Sequence, residues 1–131
     1  MISAKIQTII LGIVVTIAIS GFAVAHEWMA PKKASKIKNP NPYGSESVNR
    51  GKEIYLDNCA ACHGEGAKGL KAREIGTTKD APNLRNRLAT HTDGDFFWKI
   101  QEGRGEMPSF KEGLERAEVW DVINFLKPEN E

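Results

Sequence analysis

Two cysteines, Cys59 and Cys62, are the only thiols in this chain of 131 residues, and His63 follows the second directly. No other feature limits the chemistry and the fold so tightly as this Cys59-Ala60-Ala61-Cys62-His63 run. Three readings compete for a Cys-x-x-Cys pair. A thiol–disulfide redox pair of the thioredoxin type calls for a surrounding βαβ pattern, and no stretch here alternates as a useful strand would. A zinc site needs four ligands, with thiolates usually in two pairs. Beyond His63 this sequence offers only His26 and His91. The third reading is covalent attachment of a c-type haem, for which Cys-x-x-Cys-His is the attachment sequence. Two thiols three residues apart reach the two vinyl groups of one porphyrin, and the adjoining imidazole is placed over the iron. One haem c, held through Cys59 and Cys62 with His63 as an axial ligand, is therefore expected.

The length has room for one globular domain. Of the 40% hydrophobic residues, many sit in the first 25 positions, so the folding part is more polar than the total suggests. A region of about 80 residues buries only about 60% of its unfolded surface and is marginal alone. An apolar, covalently held haem would supply the missing core. Net charge is +1, but its distribution is uneven. Lys32, Lys33, Lys36 and Lys38 form a basic run, whereas from Val48 onward 13 Lys and Arg face 15 Asp and Glu. That is not the basic face of a nucleic-acid binder. The lysine run reads most simply as a solvated linker, with a membrane-surface or docking role as the sharper alternative.

Along the chain, Ile6 to Ala25 is nearly continuous apolar sequence preceded by Lys5. Ala23-Val24-Ala25 fits a signal-peptidase site before His26. The same stretch is just long enough to span a bilayer, and Trp28 beyond it suits an interfacial aromatic belt. Residues 1–25 are thus a signal peptide or an N-terminal membrane anchor, and both options stay open. Residues 26–46, with Asn39-Pro40-Asn41-Pro42, read as a linker without regular structure beyond a short turn. Residues 47–131 form the domain. Its first helix should start at Ser47 as N-cap and run to Gly64, with Val48, Gly51, Tyr55, Cys59 and Cys62 on one face directing both thiols to the core. Gly64 to Arg87 reads as a polar loop, with Glu65, Glu74 and Asp80 keeping it solvated. A second helix is expected from Thr92 to Gly103. A third should run from about Glu115 to Lys127, with Val119, Val122, Ile123 and Leu126 as its apolar stripe, Trp120 and Phe125 flanking, and Pro128 as its stop. The fold class is all-α.

The occupant of the second axial position decides between electron transfer, which suits a filled site, and ligand binding or oxygen activation, which need an open one. The candidates are Met29, Met107, His26 and His91. Met107 lies 44 residues after His63 in Gly103-Arg104-Gly105-Glu106-Met107-Pro108. This glycine-rich loop between two helices is a poor place for a core-filling methionine. It is a good place from which to bring a thioether over the far haem face. Met107 is therefore the first candidate ligand, with His91 and an open site as alternatives. Thioether ligation raises the potential relative to a second imidazole.

Gly51-Lys52-Glu53-Ile54-Tyr55, Cys59-Ala60-Ala61-Cys62-His63, Pro82-Asn83-Leu84, Met107-Pro108 and Val122-Ile123-Asn124-Phe125-Leu126 resemble, in order and spacing, the small single-haem class I cytochromes c of bacteria. The resemblance covers about Ser47 to Lys127. It implies a cytochrome c fold, with three main helices and loops wrapped around one covalently bound haem and with His63 and Met107 on the iron. It implies further that Gly51 meets Phe125 where first and last helices cross. The Pro82 carbonyl should accept a hydrogen bond from the second nitrogen of His63, and Trp98 and Arg104 should lie near the haem or its propionates. The expected function is one-electron transfer to and from redox partner proteins in a periplasmic respiratory chain. The expected state is a monomer, with no nucleic acid and with membrane anchoring through residues 6–25 as an option. A haem subunit dedicated to a membrane or periplasmic oxidoreductase complex is the first alternative, and a haem-based sensor or peroxidase the second. No enzyme machinery is expected: no nucleophile–base pair, paired carboxylates or phosphate loop is evident.

Overall fold

The computed structural model describes residues 28–128. Seven helices form among them: α1 (Lys32–Ser35), α2 (Ser45–Asn58), α3 (Ala60–His63), α4 (Ala72–Ile75), α5 (Leu84–Leu88), α6 (Asp93–Glu102) and α7 (Arg116–Leu126). The sole β pairing among the described residues is an isolated bridge between Arg104 and Met107. The architecture is all-α, and its three long helices are α2, α6 and α7.

α6 and α7 start as their sequences dictate. The Thr92 side chain accepts from the Asp95 N–H, and Gly103 at φ 66° ends α6. Glu118 reaches back to the Glu115 N–H across 2.7 Å to open α7, so two otherwise orphaned donors at helix starts are satisfied. α2 departs from expectation at both ends. It begins at Ser45 after an extended Gly44. Ser47, the expected N-cap, is buried inside the helix and donates its hydroxyl to Asp121. At the other end Cys59 leaves helical geometry at φ −122°, the chain resumes as α3, and Gly64 at φ 75° stops it. Cys59 is half-buried against the hydrophobic cluster and Cys62 is exposed, and the two are carried on two successive helical segments rather than on one continuous helix.

The core lies where α2 crosses α7. Tyr55, Val119 and Ile123 are fully buried. Trp120, expected at the flank of α7, is buried too, because Phe97 of α6 stacks on it at 4.1 Å and 14°. Gly51 sits at the crossing: a Cβ there would lie 2.0 Å from the Asp121 carbonyl oxygen. The mid-helix glycine is thus explained by close backbone approach, the nearest atoms being the backbone of Asp121 and Val122. Phe125 packs on Tyr55, centroids 5.1 Å apart.

The segment read as a linker is a strap, built into the fold. The Ala30 N–H donates to the buried Asp95 carboxylate at 2.7 Å. Thr92 Oγ1 donates to the Ser35 carbonyl at 2.6 Å. Gly94 packs so closely on Ala34 and Ile37 that a Cβ would meet their carbonyls at 2.3 and 2.6 Å. Asn39 donates to the Trp120 carbonyl and to Asn124, and Asn41 to Asp121. Trp28 lies edge-on to Trp98 at 6.4 Å, so it packs on the domain. Among the described residues no helix is long and apolar enough to cross a membrane. The apolar stretch 6–25 lies outside them.

Candidate haem-binding site

The proximal side is built from α3 and the loop that follows it. His63 is half-buried, and its Nδ1 lies 3.3 Å from the Pro82 carbonyl oxygen. A carbonyl only accepts, so this contact puts the proton on Nδ1 and leaves the Nε2 lone pair for a metal. Burial lowers the His63 pKa, and the Pro82 bond opposes this by raising it. The net depression favours the neutral, ligating imidazole. Pro82 reaches His63 because the loop folds back on itself. Gly69 donates to the His63 carbonyl at 2.9 Å, and a Cβ on Gly69 would stand 2.2 Å from the Ala81 carbonyl oxygen. Gly69, at φ 82°, is thus a site residue that sequence reasoning missed. Its signal was weak because glycines 64, 66, 69 and 76 punctuate the same loop.

The thiols fit covalent attachment better than the rival chemistries. Burial, and secondarily the neighbouring Cys62, push the Cys59 thiol up to about 11. A redox-active Cys-x-x-Cys needs the opposite, a depressed thiol pKa. Among the described residues no group of three or more His, Cys, Asp or Glu side chains could hold a metal ion. Tyr55 fixes the turn after α3 by donating its hydroxyl to the Gly64 carbonyl at 2.7 Å.

Met107, the candidate second ligand, closes a hairpin. Arg104 N–H donates to the Met107 carbonyl at 2.9 Å and Met107 N–H returns to the Arg104 carbonyl at 3.1 Å. Gly105 at φ 60° makes the turn. Gly103 packs against the chain at Pro108, where a Cβ would come within 2.6 Å. The Glu106 carboxylate accepts from the Thr78 N–H at 3.0 Å and from its hydroxyl at 2.8 Å. Met107 itself is half-buried and packs against the same hydrophobic cluster as Cys59 and Ala60. The loop position therefore does not separate it from the core. The fold brings the thiol-bearing helix and the methionine hairpin to one apolar body, which is the environment a porphyrin requires.

Other candidates fall elsewhere. The His91 side chain is 3% exposed, with Nδ1 2.8 Å from the Arg87 carbonyl and Nε2 3.9 Å from Asp95. It is a buried histidine held by these groups. Met29 is 52% exposed on the strap, and His26 lies outside the described residues. Trp98 and Arg104 both meet Trp28, Arg104 at 5.8 Å from its ring centroid. Glu74 and Asp80, read as solvating groups, cap α4: Glu74 accepts from the Lys71 N–H and Asp80 from the Ala72 N–H. Arg85, unremarked in the sequence, closes the end of α7 by donating to the Phe125 and Lys127 carbonyls at 3.2 Å.

An all-α domain with this thiol–imidazole run on a helix facing a methionine hairpin is a small class I c-type cytochrome. The family described as "Cytochrome C oxidase, cbb3-type, subunit III" matches residues 46–126, and the chain belongs to it. Cbb3-type cytochrome c oxidase subunit CcoP of Azospirillum brasilense is 34% identical over 91 residues, 67% of this chain and 30% of that protein. Cytochrome c6 of Petalonia fascia is 30% identical over 81 residues, 60% of this chain and 88% of that one. Among solved structures, cytochrome c6 from the diatom Phaeodactylum tricornutum shares 27% identity with a TM-score of 0.43, covering 60% of this chain and 88% of its own. The oxidase-subunit relatives are matched over only 14 to 30% of their length. The cofactor is a covalently attached c-type haem, with Cys59 and Cys62 as its two thiols. The matched region is a haem electron-transfer domain.

Proposed function

We propose that this protein carries single electrons on one haem c with His63 and Met107 as axial ligands, as a periplasmic carrier of a respiratory chain. The observation that carries the reading is the His63–Pro82 contact, which frees Nε2 for iron, on a domain whose Met107 hairpin is tied to the same core. Bound, the haem supplies the one-electron chemistry. The chain's own residues do the rest. Cys59 and Cys62 hold the group in place. Pro82 keeps the imidazole in one tautomer and one orientation, as partners behind a metal ligand do. The Arg104–Met107 pairing and the Glu106–Thr78 bonds hold the thioether so that it need not be reorganised at each electron transfer. The buried faces of α2, α6 and α7 keep water from the interior. The apolar stretch 6–25 takes the chain across the inner membrane, either as a cleaved leader or as a retained anchor.

A second reading is favoured by the family match itself: a haem subunit committed to an oxidase complex. The relatives divide on this point, since cytochrome c6 is matched along nearly its whole length and the oxidase subunit along less than a third. Exposure of the reduced native protein to carbon monoxide tests the shared core of both readings. A filled sixth position resists it, and the spectrum should stay unchanged. Ready formation of a carbon monoxide adduct would turn the assignment towards a sensor or peroxidase. Purification from native membranes in mild detergent then separates carrier from subunit. A carrier runs alone, and a subunit runs with stoichiometric partners.

A further inference from the structure

The strap, residues 28–43, is chemically unlike the rest of the molecule. It carries Lys32, Lys33, Lys36 and Lys38 and no acidic residue, while residues 48–131 hold more acids than bases. All four lysines are exposed, and none forms an ion pair among the described residues. The strap also carries three of the four large hydrophobic side chains that stand out to solvent among the described residues, Met29 at 52%, Ile37 at 41% and Tyr43 at 42% exposure. On a free linker such residues would be a solvated tether. Here the backbone is fastened to Asp95, Thr92 and Gly94 of the α6 region and, through Asn39 and Asn41, to α7. Lysines and apolar side chains are therefore presented to solvent together on one fixed segment.

We infer that this face docks on an anionic phospholipid surface, the lysines meeting lipid phosphates and Ile37 and Met29 entering the headgroup layer. The charge is complementary, and lysines close to such a surface are attracted additively. Apolar residues beside a basic cluster add the second component of interfacial binding. The chain leading into the strap points the same way, since residues 6–25 are nearly continuous apolar sequence ending three residues before Trp28. With the domain exported, the lysines lie on the translocated side, against the usual retention of positive charge on the starting side. Topology therefore does not account for them, and a role on the far side does. Docking would also set the orientation of the redox site. Trp28, the first described residue of the strap, lies under Arg104 at the base of the Met107 hairpin, so the docked face adjoins the distal side. The inference goes beyond the proposed function and does not depend on which ligands the iron takes.

The test is amine footprinting of the haem-loaded protein as isolated from cells, which reads out whether residues 1–25 are cleaved or kept. The protein is mixed with vesicles of phosphatidylcholine alone, or of phosphatidylcholine with phosphatidylglycerol, and labelled briefly with a water-soluble acylating reagent. Labelling is quantified by mass spectrometry. On the anionic vesicles, labelling at Lys32, Lys33, Lys36 and Lys38 should fall about fivefold or more while Lys52, Lys68 and Lys111 keep their reactivity. The protection should vanish near 1 M salt, where the Debye length shrinks to about 3 Å. Ile37→Asp should weaken it. Equal labelling on both vesicle types overturns the inference, as does uniform protection of all lysines. Protection seen only in native membranes, and not on phosphatidylglycerol, would assign the face to a protein partner and overturn it equally. A failure of the haem assignment would appear separately, in the absorption spectrum, without altering the footprint.

Discussion

The two sides of the haem site are held by different kinds of information. The proximal side is local: two thiols and the imidazole fall within five consecutive residues, and its support from Gly69 and Pro82 comes within the next 19. The distal side is assembled from afar. Met107 sits in a hairpin whose own turn is short, but Glu106 is held by Thr78, 28 residues back, and Arg104 lies over Trp28 of the strap. On the proposed ligation, His63 is fixed once haem is attached, whereas Met107 depends on the finished tertiary structure. Damage to the first should remove the domain, and damage to the second should change its chemistry while leaving it folded.

The largest effect is expected from Cys59→Ala/Cys62→Ala. With no covalent haem the small core loses its main apolar body, and far-ultraviolet circular dichroism should show a largely unfolded domain; a well-folded apo-domain would break the comparison on its proximal side. Met107→Ala comes next. Haem should stay covalently bound and the helices intact, while the reduced protein gains carbon monoxide binding and the potential falls as the thioether is lost. If the variant unfolds as completely as the cysteine variant, the two sides are not distinct in kind.

The helix crossing beneath both sides gives a pH-dependent prediction. Asp121 is buried, which raises its pKa, but hydrogen bonds from Arg50, Ser47 and Asn41 outweigh this and hold it below the ordinary range. A carboxylate depressed in the folded state stabilises the fold at pH above its unfolded value, about 3.9, and that contribution is lost as pH falls through the depressed value. Acid unfolding should therefore steepen below about pH 4, and Asp121→Asn should flatten it. The same substitution should cost about 1–3 kcal/mol at neutral pH, as expected for losing the charge from buried hydrogen bonds. The smallest effect is expected from Glu106→Ala, at about 0.5–1.5 kcal/mol for hydrogen bonds at an exposed site. Its sharper readout is greater accessibility of the sixth position to added imidazole. An unchanged affinity for imidazole would show that the hairpin does not need Thr78.

Much of this was legible in the residues. The haem motif and three long helices follow from spacing alone, and the glycine at position 51 signalled a close crossing. The resemblance put Phe125 against it, and the nearest atoms to a Cβ there are the backbone of Asp121 and Val122, about one helical turn earlier. The break at Cys59 was not readable, since nothing in Asn58-Cys59-Ala60 marks a helix end. The strap was misread for a related reason. Asn39-Pro40-Asn41-Pro42 is a linker by local preference, yet its two asparagines are held by backbone and side-chain groups of α7 some 80 positions away. What was local could be read, and what depended on distant partners could not.

The central claim is that His63 and Met107 both bind the iron of one haem. The visible and near-infrared spectrum of the oxidised native protein tests it most directly. The account predicts a low-spin ferric haem with a methionine-sulfur-to-iron charge-transfer band that disappears in Met107→Ala. A high-spin spectrum without that band in the native protein would contradict it.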